Sequence, residues 1–333
     1  MQVQFQIQRQ GHDLPPRWQI YTLEVESGTT ILECLMRIKG EQDGSLGFRK
    51  NCRNTICGSC TMRINGRSAL ACKENVGHEI KACKQLSADG VPVITLAPLG
   101  NLPVLKDLVV EMQPFWDDLE TIAPYVQKQN TPPATEEFLQ SPQERERLNQ
   151  TGNCILCGAC YSECNGKLAN PQFVGPHALA KAQRLLSDNR EQEQLARLEK
   201  YNSIDSGVWG CTRCYLCNTV CPMDVAPMDQ IGHIKQQLLS QASVANTRPV
   251  RHRRVLVKLV KAGGWVDERK FGLYVMGNYF RDLGGIASIL PLGLRMLTNG
   301  KFPLFFEASL GTAAVRRLIE KIQRAGASTQ DKN

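Results

Sequence analysis

The chain lacks any long apolar run. No stretch approaches the ~18 uninterrupted apolar residues needed to cross a bilayer, and the longest, "GGIASILPLGL", is far too short. Nor does the start look like an export signal: "MQVQFQIQRQ" alternates like a strand and has no apolar h-region. The expectation is a cytoplasmic protein, in a compartment where thiols stay reduced. Aromatic residues make up only 6%, so the cores are aliphatic. Histidines are few (His12, His78, His177, His233 and His252) and show no paired metal spacing, which assigns them to surface or packing positions. The net charge is +8, but the basic residues are scattered apart from Arg251, Arg253 and Arg254. That pattern offers no dedicated nucleic-acid surface.

What is present in excess is cysteine. Of 14 cysteines, twelve fall into three tight groups. In a reducing compartment such clustering points to metal rather than to disulfides. A length of 333 residues, 42% hydrophobic and 22% charged, suits two or three globular domains.

Residues 1–105 read as a mixed β domain. "MQVQFQIQRQ" and "WQIYTLEVES" form a hairpin, and "TTILECLMRIKG" a helix with Thr29 or Thr30 at its N-cap and Gly40 at its end. "TMRINGRSAL" holds an Asn65-Gly66 turn, and "PVITLAP" is the last strand. This is a β-grasp order. Residues 106–126 switch to helical periodicity, and "QKQNTPPATEEFLQSPQERERL" reads as an exposed linker or wrap. From 148 to about 240 the chain is helical around two cysteine runs, with amphipathic helices in "GPHALAKAQRLLSDNR" and "QEQLARLEKYNS". Residues 241–333 form a helical extension. The fold class is therefore α+β, with domains at 1–105, 106–240 and 241–333.

The first group is Cys52-x4-Cys57-x2-Cys60-x11-Cys72, the plant-type 2Fe–2S spacing. Soft thiolates suit iron–sulfur clusters, and Gly58 and Ser59 let backbone N–H groups approach the sulfurs. The second group, Cys154-x2-Cys157-x2-Cys160-x3-Cys164, is a bacterial-ferredoxin run. The third, Cys211-x2-Cys214-x2-Cys217-x3-Cys221-Pro222, repeats it. In two-cluster ferredoxins the fourth cysteine of each run crosses to the other cluster. One cubane then takes Cys154, Cys157, Cys160 and Cys221. The other takes Cys164, Cys211 and Cys217, with Cys214 available as a fourth ligand.

A plant-type 2Fe–2S domain followed by a two-cluster domain resembles the iron–sulfur subunit of succinate dehydrogenase and fumarate reductase. The resemblance rests on "GFRKNCRNTICGSCTMRINGRSALACK", "LAPLGNLPVLKDLVVEM", "SPQERERLNQTGNCILCGAC", "NPQFVGPHALAKAQRLLSD" and "CTRCYLCNTVCP", in order, over about residues 1 to 238. It implies an electron-transfer subunit with no acid–base chemistry of its own. Electrons would arrive from the FAD of a partner flavoprotein that oxidises succinate. They would pass a 2Fe–2S cluster, a 4Fe–4S cluster and a third cluster, and leave for quinone at a membrane-associated anchor subunit. The protein would thus sit peripherally on the cytoplasmic face of a membrane through its partners.

Three departures stand out. The family usually has a small or aliphatic residue where Cys214 stands, leaving a 3Fe–4S third cluster; a thiolate there favours 4Fe–4S. Cys164 is followed by "NGKLAN" rather than proline and tryptophans, and Thr212 replaces a histidine, which removes positions that help form the usual quinone site. Finally, the tail is similar to heterodisulfide-reductase-type iron–sulfur subunits, as in non-standard succinate dehydrogenases whose partner carries a CCG domain. The alternative function is therefore a thiol-linked fumarate reductase or heterodisulfide-reductase-like complex.

Cys34, among apolar helix neighbours, reads as a buried thiol, and Cys83 as a structural or exposed one. Phe302, Phe305 and Phe306 suit an interface, core or lipid contact. The spacing predicts iron with abundant acid-labile sulfide in the purified protein; zinc without sulfide, measured by elemental analysis and sulfide assay, would refute it.

Overall fold

Alternation at the start places Val3, Phe5 and Ile7 on one buried face of β1 (Gln2–Arg9). β2 (Arg17–Glu24) pairs with it antiparallel, Gln2 opposite Glu24 and Arg9 opposite Arg17. The computed structural model describes residues 1–11, 15–128, 137–241, 244–303 and 305–330, so the expectation for His12 falls outside the described residues. The chain forms two compact units, 1–236 and 237–333.

In the first unit, α1 (Ile31–Arg37) starts at a capping box. Thr30 accepts from the Glu33 N–H, and Glu33 accepts from the Thr30 N–H. The helix does not end at Gly40 but runs on as a π-turn, Ile38–Gln42. β3 (Thr61–Ile64) and β4 (Arg67–Leu70) join through Asn65 and Gly66 at φ 49° and 83°, the double left-handed geometry that suits a two-residue hairpin. After α2 (Val76–Cys83), β5 (Val93–Ala97) runs parallel to β1 and completes a sheet of order β2-β1-β5-β3-β4. Ile31, Leu32 and Leu35 of α1 close the core against Phe5, Ile7, Ile64 and Leu96, which is the β-grasp arrangement.

Two local expectations need correction. "KDLVV" is not helical: β6 (Val104–Lys106) and β7 (Val109–Val110) form a small hairpin, and the helix α3 begins only at Gln113, ending at Thr121. The reason is tertiary. Asp107 turns at φ 50°, and its carboxylate accepts from Arg9 Nε (2.9 Å), from the Gln10 N–H (3.1 Å) and from the Gly47 N–H (2.8 Å). Likewise "SPQERERL" is no linker. It opens α4 (Pro142–Gly152), capped by Ser141 and Glu144 with proline at the first turn. Its polarity reflects a largely exposed helix anchored by buried Leu148 and Thr151. Residues 129–136 lie outside the described ones.

Short helices α5 (Ala159–Ser162) and α6 (Asn165–Ala169) follow, then α7 (Gly175–Leu186) and α8 (Gln194–Tyr201) where amphipathic helices were expected. α9 (Leu216–Thr219) and α10 (Pro227–Ser240) complete the cysteine region. In the second unit, α11 (Arg248–Gly263) and α12 (Glu268–Met276) pack around Val255, Leu259 and Val275, while α13 (Leu283–Thr298) lies against α12 and α14 (Thr312–Gln330) against α11. Arg251 and Arg254 are tied down, donating to Val275 O (3.1 Å) and Gln241 O (3.2 Å). Among the described residues no helix is long and apolar enough to cross a membrane.

Buried Arg9 ties β1 to β2 and to the turns at Asp43 and Asp107. Besides Asp107 it donates to Gln19 (3.0 Å), Ser45 (2.9 Å), Tyr21 and Asp43. Hydrogen bonds from Ser45, Tyr21 and Arg9, in that order, hold the Asp43 carboxyl well below its ordinary 3.8. A depressed carboxyl contributes stability that is full above about pH 4 and fades as pH falls toward its folded value. Asp43→Asn should therefore cost about 1–3 kcal/mol at neutral pH, and the gap to the wild type should shrink below pH 4. Urea unfolding followed by circular dichroism across pH measures both; a pH-independent gap contradicts the assignment.

Candidate iron–sulfur sites

The loop that opens at Cys52 turns inward because three of its residues are left-handed: Arg53, Thr55 and Gly58, at φ 58°, 58° and 70°. The turns aim N–H groups at sulfur. Cys52 Sγ accepts from Asn54 and Cys57 (both 3.3 Å) and from Ile56 (3.4 Å). Cys72 Sγ accepts from Thr55 (3.3 Å), and Cys57 Sγ from Cys52 (3.4 Å). Cys60 precedes β3 and Cys72 follows β4, so the hairpin brings the distant cysteine back to the loop. Burial pushes the Cys60 thiol up to about 12, with Cys72 and Cys57 beside it. At Cys57 burial is outweighed by hydrogen bonds from Ser59 and the Cys52 N–H, and the thiol falls below its usual value.

The two later runs repeat a backbone as well as a spacing. Leu156 and Gly158 are left-handed, at φ 53° and 82°, before α5. Arg213 and Tyr215, at the same offsets in the second run, take φ 59° and 64° before α9. Cys214 therefore occupies the position that Cys157 holds in the first run. A tyrosine in this conformation costs roughly 1–2 kcal/mol relative to glycine.

The runs do cross over. One apolar cavity is lined by Cys154, Cys157, Cys160 and Cys221. Another is lined by Cys164, Cys211, Cys214 and Cys217. Burial pushes the thiols of Cys157 and Cys217 up to about 11 and 12, and Cys160 and Cys164 are raised for the same reason. The neighbouring sulfurs add to this. Cys160 is raised by Cys157, Cys154, Cys217 and Cys221, and Cys164 by Cys211 and Cys214. Cys164 Sγ accepts from the Lys167 N–H and Cys221 Sγ from the Val225 N–H, both at 3.4 Å. Thiols sharing apolar walls, half-buried for the most part, with Cys217 buried and Cys214 at the exposed rim, and with N–H donors directed at sulfur, fit iron–sulfur clusters held as thiolates.

A seam within the first unit sets these sites side by side. Gly58 faces Cys157, and a methyl group at Gly58 would lie 2.8 Å from Cys157 Cβ. Thr61 donates to Gly58 O (2.6 Å) and its hydroxyl also lowers Cys157. Asn101 donates to the carbonyls of Tyr161, Ser162 and Cys164 at 2.8, 3.2 and 3.1 Å. Ser68 bonds to Ser162 (2.8 Å) and Glu163 (2.7 Å). Neither Thr61 nor Asn101 stood out in the sequence, since a single polar residue carries no spacing signal.

His177 does pack, but in the wall of the second site. It stacks on Phe115 at 3.9 Å, with Nε2 2.9 Å from Phe115 O. Burial lowers its pKa to about 3 and keeps the imidazole neutral. Cys34 is buried in the β-grasp core, where burial raises its thiol to about 12, and Cys83 is exposed. His78 stands 3.7 and 3.6 Å from Glu74 and Glu79, a group already engaged by Arg67.

This arrangement defines a multicentre iron–sulfur electron-transfer protein. Comparison with known proteins identifies the kind. Residues 4–117 match a 2Fe–2S iron–sulfur cluster binding domain, and residues 150–225 a 4Fe–4S dicluster domain. The 8-methylmenaquinol:fumarate reductase iron–sulfur subunit of Wolinella succinogenes is 30% identical over 94% of this chain and 95% of its own length. The mitochondrial succinate dehydrogenase iron–sulfur subunit of Candida glabrata is 35% identical over 70% of this chain and 90% of its own. In a solved structure, the Mycobacterium smegmatis Sdh1 complex in the apo form, one chain shares the fold. It has a TM-score of 0.60 at 22% identity and covers 71% of this chain and 95% of its own length. The chain belongs to the iron–sulfur subunits of the succinate dehydrogenase and fumarate reductase family. It is an electron-transfer subunit of a complex of that family.

Gly58→Ala should lower unfolding free energy by about 2 kcal/mol, through the left-handed φ and the clash with Cys157. It should also reduce iron retained through gel filtration. Unchanged stability and iron content would show that the loop does not bear on Cys157.

Proposed function

We propose that this subunit carries electrons from a succinate-oxidising flavoprotein to quinone through three cysteine sets in series, the last of them holding a 4Fe–4S cluster. Contiguity supports the series: the first loop abuts Cys157 at Gly58, and Cys160 is close enough to feel Cys217. Cys52, Cys57, Cys60 and Cys72 would hold the 2Fe–2S cluster. Cys154, Cys157, Cys160 and Cys221 would hold the first 4Fe–4S cluster, and Cys164, Cys211, Cys214 and Cys217 the third centre. When bound, such clusters supply one-electron exchange; the protein's part is to hold them, keep water out and set their potentials.

Cys214 carries the distinctive part of this reading. It lines the same cavity as Cys164, Cys211 and Cys217, on a backbone that repeats the setting of Cys157. A fourth thiolate offers a corner ligand that a 3Fe–4S cluster would leave unused. An added anionic ligand favours the oxidised state, so the third centre should have a lower potential than its three-thiolate counterpart. Thr212 and the "NGKLAN" segment lack the usual quinone-site side chains. Exit through a CCG-type anchor subunit on the cytoplasmic face of the membrane accords with that.

A second reading, electron flow toward fumarate, has one observation in its favour. The Wolinella relative, named for fumarate reduction by 8-methylmenaquinol, matches nearly the whole chain rather than only the cluster domains. Comparing succinate–quinone with quinol–fumarate turnover in the native complex distinguishes the two directions.

For the third centre, air-oxidised complex should show no stoichiometric 3Fe–4S signal in electron paramagnetic resonance, and Cys214→Ser should create one. A full-strength signal in intact wild-type complex would overturn the four-iron assignment.

A further inference from the structure

The second unit carries the charge of the whole chain. Residues 237–333 hold sixteen Lys and Arg against six Asp and Glu, a net of +10. Residues 1–236 hold twenty-four against twenty-six, a net of −2. The stretch 283–306 contains no acidic residue; its only charges are Arg295 and Lys301.

Within that stretch, α13 packs by one side only. Gly285 is buried, Ile289 reaches Gly272 of α12, and Ile286, on the flank between this side and the leucines, presses on Gly277 at the end of α12. On another side, Leu283, Leu290, Leu294 and Leu297 follow the i, i+7, i+11, i+14 spacing that keeps residues on one helical stripe. They are 76%, 60%, 56% and 52% exposed. Beyond the helix Phe305 and Leu310 are also exposed, whereas Phe306 packs on Gly263. A row of exposed leucines on a helix whose own charged side chain is Arg295, with acidic residues confined to its N-cap Asp282 and to Glu307 beyond it, is an uncommon surface for a protein left in water.

We propose that α13 docks this subunit directly on an anionic lipid surface, lying in the plane of the interface with its leucine stripe in the acyl boundary. The helix, 16 residues long, spans about 24 Å. That is less than the ~30 Å hydrocarbon core, so it lies along the surface rather than across it. Arg295, Lys301 and the net positive charge of the unit complement acidic headgroups. The contact is the chain's own and adds to any held through an anchor subunit.

Flotation of the full-length, cluster-loaded subunit with vesicles tests this. Binding is expected to 7:3 phosphatidylcholine:phosphatidylglycerol vesicles, with at least about tenfold weaker binding to phosphatidylcholine alone and a loss in 0.5 M salt. Leu290→Glu with Leu294→Glu should lower binding about tenfold or more. These side chains are exposed, so the unfolding midpoint should not move. Arg295→Glu with Lys301→Glu should weaken binding to the anionic vesicles alone. Absence of flotation, or full binding by the leucine double variant, overturns the proposal. So does a double variant that loses only co-purification with a protein partner, which would make α13 a protein interface.

Discussion

The fold depends on one close approach: the backbone of Gly58, in the first cysteine loop, lies against Cys157 of the second. Electron transfer between protein-held centres needs them side by side in a dry, fixed setting. Here a left-handed glycine without a Cβ makes room on one side, and the Thr61 hydroxyl ties the loop on the other. Asn101, donating to the carbonyls of Tyr161, Ser162 and Cys164, and Ser68, bonded to Ser162 and Glu163, hold the helical region onto the sheet. Ile155 and Cys157 accordingly pack against the β-grasp core rather than standing apart from it.

The cysteine sites trade stability for metal affinity. Cys160 and Cys217 are enclosed where a thiolate is disfavoured, and the sulfurs crowd one another. Directed N–H groups at Cys52, Cys72, Cys164 and Cys221 offset part of that cost, and bound iron would offset more. The polar scaffolding sits elsewhere. Arg9 gathers Asp43, Asp107, Tyr21 and Ser45, joining β1 to β2 and to two turns of the β-grasp domain.

Much of this was legible along the chain because the signals are local. Alternation in "MQVQFQIQRQ", the Asn65-Gly66 turn and a threonine cap at 29 or 30 each act over a few residues and each appear in the fold, the cap at Thr30. "KDLVV" misled because its apolar spacing is shared by a helix and a tight hairpin, and the choice was made by Asp107 meeting Arg9, nearly a hundred residues away. "SPQERERL" misled because its polarity masked a capping box that Ser141 and Glu144 do display.

Cysteine spacing by itself determined that there are three thiol groups, and that two of them repeat, because metal-binding loops are short-range objects. Which sulfurs share a cavity was decided by the tertiary structure, because Cys221 and Cys164 reach their sites only when α5 and α9 come together. The place of Cys214 among Cys164, Cys211 and Cys217 is of the same kind: spacing made it available, and the repeated left-handed turn put it on the cavity wall. The leucines of α13 show the converse. Their periodicity is written in the chain, but that they remain uncovered depends on which side of the helix α12 takes.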